Sequence, residues 1–157
     1  MHLTIYCDGS CDCKSRLGGI GVFIIDSTGK EYYFSKGYKD TTISRMEGIA
    51  LLTALNAINI AQPITAHIYS DSEYIIKSFT ENRLTKWEMI GWNQIKNVDM
   101  WKAIIKSIRL HPLLTLDFNH IRGHQINLSG AHVFGNHVAD LLASYKTKTI
   151  YHSDKEL

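Results

Sequence analysis

Three strand-like segments fall within the first forty residues, before any helical pattern appears, and this ordering limits the chain more than any other feature. Residues 3–8 alternate in the manner of a strand, and 18–26 and 30–38 follow as two more, joined by the polar turn Asp26-Ser27-Thr28-Gly29. Helical periodicity begins only at 44–60, with Ser44 as a plausible N-cap, and 65–71 return to strand. Helices are expected over 72–80, 82–88 and 98–110, a last strand over 114–121 and a closing helix over 134–145; Pro63 and Pro112 each stand just before a strand. A hairpin extension followed by strands linked through helices requires an α/β fold, a mixed sheet with helices on its faces. The expected sheet has five strands, the first three antiparallel and the rest parallel, with a right-handed crossover from the first strand to the fourth.

At 157 residues, 45% hydrophobic and 20% charged, the chain fits one globular domain. We expect that domain over residues 1–146, with a C-terminal tail over 147–157. No apolar run approaches the roughly 20 residues of a membrane span, so a cytoplasmic protein without a signal or membrane anchor is expected. Cys7, Cys11 and Cys13 are an odd, closely spaced set that argues against a disulfide framework; zinc is the sharper alternative, without a matching Cys or His pair to complete a tetrahedral set. The net charge of +2 says little, but seven Lys or Arg against three acids lie between Lys77 and Arg109. Such a stretch is either a solvated helical surface or a phosphate-binding face.

Two strands end alike, in Ile5-Tyr6-Cys7-Asp8-Gly9-Ser10 and Ile68-Tyr69-Ser70-Asp71-Ser72-Glu73. Side chains alternate along a strand, so Asp8 shares a face with Tyr6 and Asp71 with Tyr69. If the strands are parallel neighbours, both carboxylates emerge together at the C-terminal edge of the sheet, where open α/β sheets place ligands. The plainer alternative is that each aspartate caps the turn after it. Glu47 shares the apolar stripe of its helix with Ala50, Leu51, Ala54 and Ile58, so it points toward the sheet and needs a partner, either Arg45 or Arg122 or a bound cation. Asn136 and Asp140 share a face of the closing helix. Four acids brought together repel, and a hard divalent cation with oxygen preference relieves that repulsion. Magnesium fits, manganese being a possible substitute, and a pair of ions suits in-line displacement at phosphorus. In the loop before that helix, His124 of Arg122-Gly123-His124 can move protons near neutral pH, unless it is an ordinary surface histidine.

Five segments in order resemble ribonuclease H of type 1, across nearly the whole chain: Asp8-Gly9-Ser10-Cys11, Thr41-Thr42 with Arg45-Met46-Glu47, Tyr69-Ser70-Asp71-Ser72, Lys96-Asn97-Val98-Asp99-Met100-Trp101, and Arg122-Gly123-His124 with Asn136 and Asp140. The resemblance implies a ribonuclease H-like fold and an endoribonuclease that hydrolyses the RNA strand of RNA/DNA hybrids, leaving 5′-phosphate and 3′-hydroxyl ends. It implies that Asp8, Glu47, Asp71 and Asp140 hold two magnesium ions, that His124 serves proton transfer or product release, and that Asn136 supports the site. It further implies hybrid contacts through Thr42 and Asn97 at a DNA phosphate, Trp87, Trp92, Lys86 and Lys96 on and beside a basic protrusion, and Ser10, in a monomer. Asp40 stands where an arginine is usual, Lys14 where many relatives carry asparagine, and the protrusion Lys86-Trp87-Glu88-Met89-Ile90-Gly91-Trp92 is shorter and less basic. A DNA-directed nuclease or resolvase of the same fold, or a non-catalytic hybrid-binding module, are the competing readings.

Overall fold

The computed structural model describes residues 1–59, 61–122 and 130–157. Strands β1 (His2–Cys11), β2 (Gly18–Asp26) and β3 (Glu31–Lys39) form the antiparallel meander, Ile5 pairing Ile24 and Val22 pairing Phe34. Helix α1 (Ile43–Ala57) crosses to β4 (Ile64–Ser70), which lies parallel to β1 with Tyr6 beside Tyr69. Helices α2 (Glu73–Thr80), α3 (Arg83–Met89) and α4 (Val98–Arg109) lead to β5 (Leu114–His120), parallel to β4, and α5 (Gly130–Ala143) follows. The mixed α/β sheet expected from the sequence is present, in the order β5-β4-β1-β2-β3-β6.

The sixth strand corrects the expected five. Residues assigned to a tail supply β6 (Tyr151–Ser153), which pairs in parallel with β3, Tyr38 opposite His152. Next to it Asp154 is almost wholly buried and accepts hydrogen bonds from Arg45 Nε (2.8 Å) and Thr41 Oγ1 (2.6 Å). Arg45 also forks onto both carboxylate oxygens of Asp99 at 2.8 and 2.9 Å. One buried guanidinium thus ties the first turns of α1 and α4 to the chain's last strand, a geometry suited to its planar fork.

Alternation along β1 splits the core in two. Leu3, Ile5 and Cys7 join the larger cluster with α1 and α4, around Met46, Leu51, Leu55 and Trp101, while Tyr6, Phe23, Ile121 and Ala139 form a smaller one under α5. The N-cap of α1 is Thr42, not Ser44, its hydroxyl accepting the Arg45 N–H. Among the described residues the closing helix runs from Gly130, a turn earlier than its apolar pattern predicted. That pattern starts only where α5 meets the sheet, and the preceding turn is half open to solvent.

Candidate active site

Asp8 and Asp71 meet at the C-terminal end of the parallel β1–β4 pair. The register that sets Tyr6 beside Tyr69 carries the aspartates two residues further on along each chain, onto the face covered by α5. Asp8 is buried and accepts the N–H of Gly9 at 2.9 Å. Burial first, then the Asp71 charge and a hydrogen bond with Asp140, raise the Asp8 carboxyl to about 8. Asp140 comes from α5, three residues before the helix ends, and packs there because Gly135 lets the helix ride directly on the Tyr6 ring. A Cβ at Gly135 would stand 2.3 Å from Cε2 and Cζ of Tyr6.

Glu47 arrives from the other face. Its helix rests on Gly9, where a Cβ would stand 2.5 Å from the Glu47 nitrogen, so only glycine permits this approach. The carboxylate accepts the Ser72 hydroxyl at 2.6 Å, and neither Arg45 nor Arg122 is its partner: Arg45 is committed to Asp99 and Asp154, and Arg122 is exposed. Burial raises the Glu47 carboxyl, the Ser72 bond opposes this, and the Asp71 charge adds to it. Electrostatic contact thus links Asp71 to Asp8 and to Glu47, and Asp8 to Asp140.

Among the described residues, no three His, Cys, Asp or Glu side chains converge on one point as a ready cation cage. Asp8 meets Asp140, and Glu47 accepts from Ser72. A carboxyl that holds its proton at neutral pH, with two further acids against it, is negative charge relieved by a proton. That all-oxygen set has the chemistry a hard divalent cation takes, and the three free cysteines lie outside it.

His124 lies outside the described residues. Asn136 is half-buried on α5. Ser10 is otherwise engaged, its hydroxyl donating to the Ala143 carbonyl (2.6 Å) and accepting from Tyr145 N–H (3.0 Å), which ends α5. Thr42 and Asn97 stand at the starts of α1 and α4, which Arg45 and Asp99 hold together; Asn97 has a left-handed backbone (φ 59°) and donates to Tyr74 Oη. Lys86 and Lys96 are exposed. Trp87 and Trp92 are half-buried, and Trp87 packs 5.5 Å from the fully buried Trp101 ring, so both serve the core as well as whatever the protrusion touches. Residue-by-residue reading missed Tyr6 and Tyr69 as the floor of the site, although the echoed Tyr-x-Asp spacing signalled them.

The fold and its edge of gathered carboxylates define a ribonuclease H-like protein. The chain belongs to the RNase H family, whose profile matches residues 1–148. Ribonuclease H of Lachnoclostridium phytofermentans is 37% identical over 134 residues, covering 79% of this chain and 82% of that one. Ribonuclease H of Trichodesmium erythraeum is 33% identical over 132 residues, covering 81% and 80%. The solution structure of the PFV RNase H domain superposes with a TM-score of 0.71 at 26% identity, covering 90% of this chain and 91% of that one. The foamy viral protease-reverse transcriptase, solved in complex with RNA/DNA hybrid, gives 0.73 at 23% identity over 94% of this chain, which spans only 20% of that protein. The chain is accordingly an endoribonuclease, a hydrolase of phosphodiester bonds.

Proposed function

We propose that the chain hydrolyses the RNA strand of RNA/DNA hybrids by magnesium-dependent in-line attack of water, leaving 5′-phosphate and 3′-hydroxyl ends. The observation that carries this reading is Asp8, buried at the end of β1 with Asp71 and Asp140 against it. Asp8, Glu47, Asp71 and Asp140 would hold two Mg2+ ions, or Mn2+ in their place. When bound, such a pair supplies a nucleophilic water and stabilises the leaving oxygen at phosphorus.

The resemblance and, for the described residues, their place in the fold support the following tasks. Asp8 and Asp71 stand on a rigid parallel strand pair and fix where a phosphate can approach. Asp140 and Glu47, now against Asp8 and Ser72, would complete the set of oxygen ligands that holds the ions. Asn136, one turn before Asp140, supports that turn. His124 takes or delivers the proton that hydrolysis leaves in excess. Thr42 and Asn97, at two helix starts, hold a phosphate of the uncut DNA strand, with Trp87, Trp92, Lys86, Lys96 and the Ser10 loop along the duplex. The catalytic domain, whose sheet takes in β6, acts as a monomer.

A labelled RNA/DNA hybrid, incubated with and without Mg2+ beside a matched DNA duplex, tests the reading. Cleavage confined to the RNA strand and to magnesium is expected. Cleavage of the DNA duplex would indicate a resolvase-like enzyme. Binding of the hybrid without cleavage would indicate a binding module.

A further inference from the structure

The early start of α5 places a second histidine in the neighbourhood of the carboxylates. His132 lies on the added turn, two turns before Asp140 and on the same side of the helix as Asn136. Its Nδ1 is hydrogen-bonded to Tyr6 Oη at 3.0 Å, and its ring stacks on Tyr69 with centroids 4.3 Å apart and planes 27° from parallel. Tyr6 and Tyr69 themselves stack at 5.4 Å. Each tyrosine stands two residues before a carboxylate of the site, on the same strand face, so His132 closes a three-ring floor directly below Asp8 and Asp71.

We infer that His132 is a positioning residue for magnesium: it fixes α5 on the β1–β4 seam and thereby sets where Asp140 meets Asp8. The inference rests on the proposed assignment of those carboxylates to the metal. Among the described residues helix α5 is held to the sheet along its length, with Ala139 close against Gly21 and the Leu142 carbonyl accepting from the Ser35 hydroxyl on either side of Asp140. At its end the Ser10 hydroxyl donates to the Ala143 carbonyl and accepts the Tyr145 N–H. Midway Gly135 lies flat against the Tyr6 ring. At its start, among the described residues, a polar side chain holds it through the contact of His132 with the two tyrosines. A helix is stiff over eight residues, about 12 Å at 1.5 Å per residue. Releasing its first turn lets it roll about the Gly135 contact, and roll moves Asp140 sideways across Asp8. Misplacement by about 1 Å costs on the order of a hundredfold in rate where groups must be held in register.

The test uses His132→Ala, which removes the bond and the stack; His132→Phe, which keeps a ring; and Tyr6→Phe, which removes the bond from the other side. Two readouts are taken on the full chain: the Mg2+ concentration at half-maximal hybrid cleavage, and the rise in Tm that Mg2+ alone produces. For His132→Ala the expected result is a roughly tenfold or greater fall in kcat, a severalfold rise in the Mg2+ midpoint, a smaller Mg2+-induced Tm rise, and an unchanged KM for hybrid. Tyr6→Phe and His132→Phe are each expected to show part of this, and the double variant His132→Ala/Tyr6→Phe no more than His132→Ala, because the two share one contact. A His132→Ala protein with lower Tm but wild-type Mg2+ midpoint and Mg2+-induced shift would overturn the inference, leaving His132 as an ordinary helix end. Should His132→Ala not fold, unaltered Mg2+ responses in both phenylalanine variants would overturn it equally. A wild-type protein whose Tm does not respond to Mg2+ would instead sink the metal assignment itself.

Discussion

Asp8 is electrostatically strained in the site, and the sign of that strain can be checked by titration. Its carboxyl is raised in the folded protein, and Glu47 is shifted the same way. A raised carboxyl binds its proton more tightly folded than unfolded, so stability is fullest below the ordinary carboxylate pKa of about 4 and declines as pH rises through about 8. Metal-free protein should therefore lose stability over that window, and Mg2+ at pH 8 should restore it. Asp8→Asn should abolish cleavage, stay folded, raise the metal-free Tm at pH 8 and flatten the pH dependence, because the amide carries no charge and can still donate to Asp140. Urea denaturation of both proteins at pH 5.5 and pH 8 provides the measurement; an equal pH dependence in the two would show that Asp8 is not the strained group.

At the scale of elements, β6 and the protrusion each make a definite demand. The Asp154 carboxylate stands against Arg45 and Thr41 with 1% of its side chain exposed. Asp154→Ala should cost about 3 kcal/mol, the low end for breaking a buried pair, because Arg45 retains its fork onto the half-exposed Asp99. A loss below about 0.5 kcal/mol in urea denaturation, the range of an ordinary surface substitution, would show that Asp99 alone satisfies Arg45. Trp87 in α3 leans on Trp101, so Trp87→Ala should remove about 2 kcal/mol of stability, less than a fully buried tryptophan would. A variant with wild-type Tm and weakened hybrid binding would return Trp87 wholly to the binding face.

The whole molecule is nearly neutral, and its basic groups are partly spent within the fold. Arg109 is paired to Glu88 at 3.0 Å and Arg83 to Glu81 at 2.7 Å, both on the exposed side of the protrusion region. Hybrid binding should thus have a shallow dependence on salt. Glu88→Lys adds one cation and frees Arg109, so the log–log slope should steepen by about 0.9 for each new phosphate contact, up to two. Affinity measured from low to high salt checks this, and an unchanged slope would place α3 away from the duplex.

The residues themselves determined the order of elements, the parallel β1–β4 pairing and the acids on its edge. Strand alternation, helical stripes and the repeated Tyr-x-Asp ending are local patterns, and local patterns survive in one dimension. Only the tertiary structure decided what depends on distant partners. Ser44 and Thr42 are equally good caps on paper, and the backbone entering α1 chose Thr42. Residues 151–154 read as a polar tail because three residues of strand carry too little pattern; the open edge of β3 and the unspent charge of Arg45, more than a hundred residues away, gave them a structure. Glu47 was known to need a partner, yet whether arginine, serine or cation answered it depended on Gly9 letting α1 down onto the sheet. The first turn of α5 shows no apolar stripe, so nothing in sequence marked His132. It is held by two tyrosines more than sixty residues upstream, and contacts of that reach are made only when the sheet has assembled.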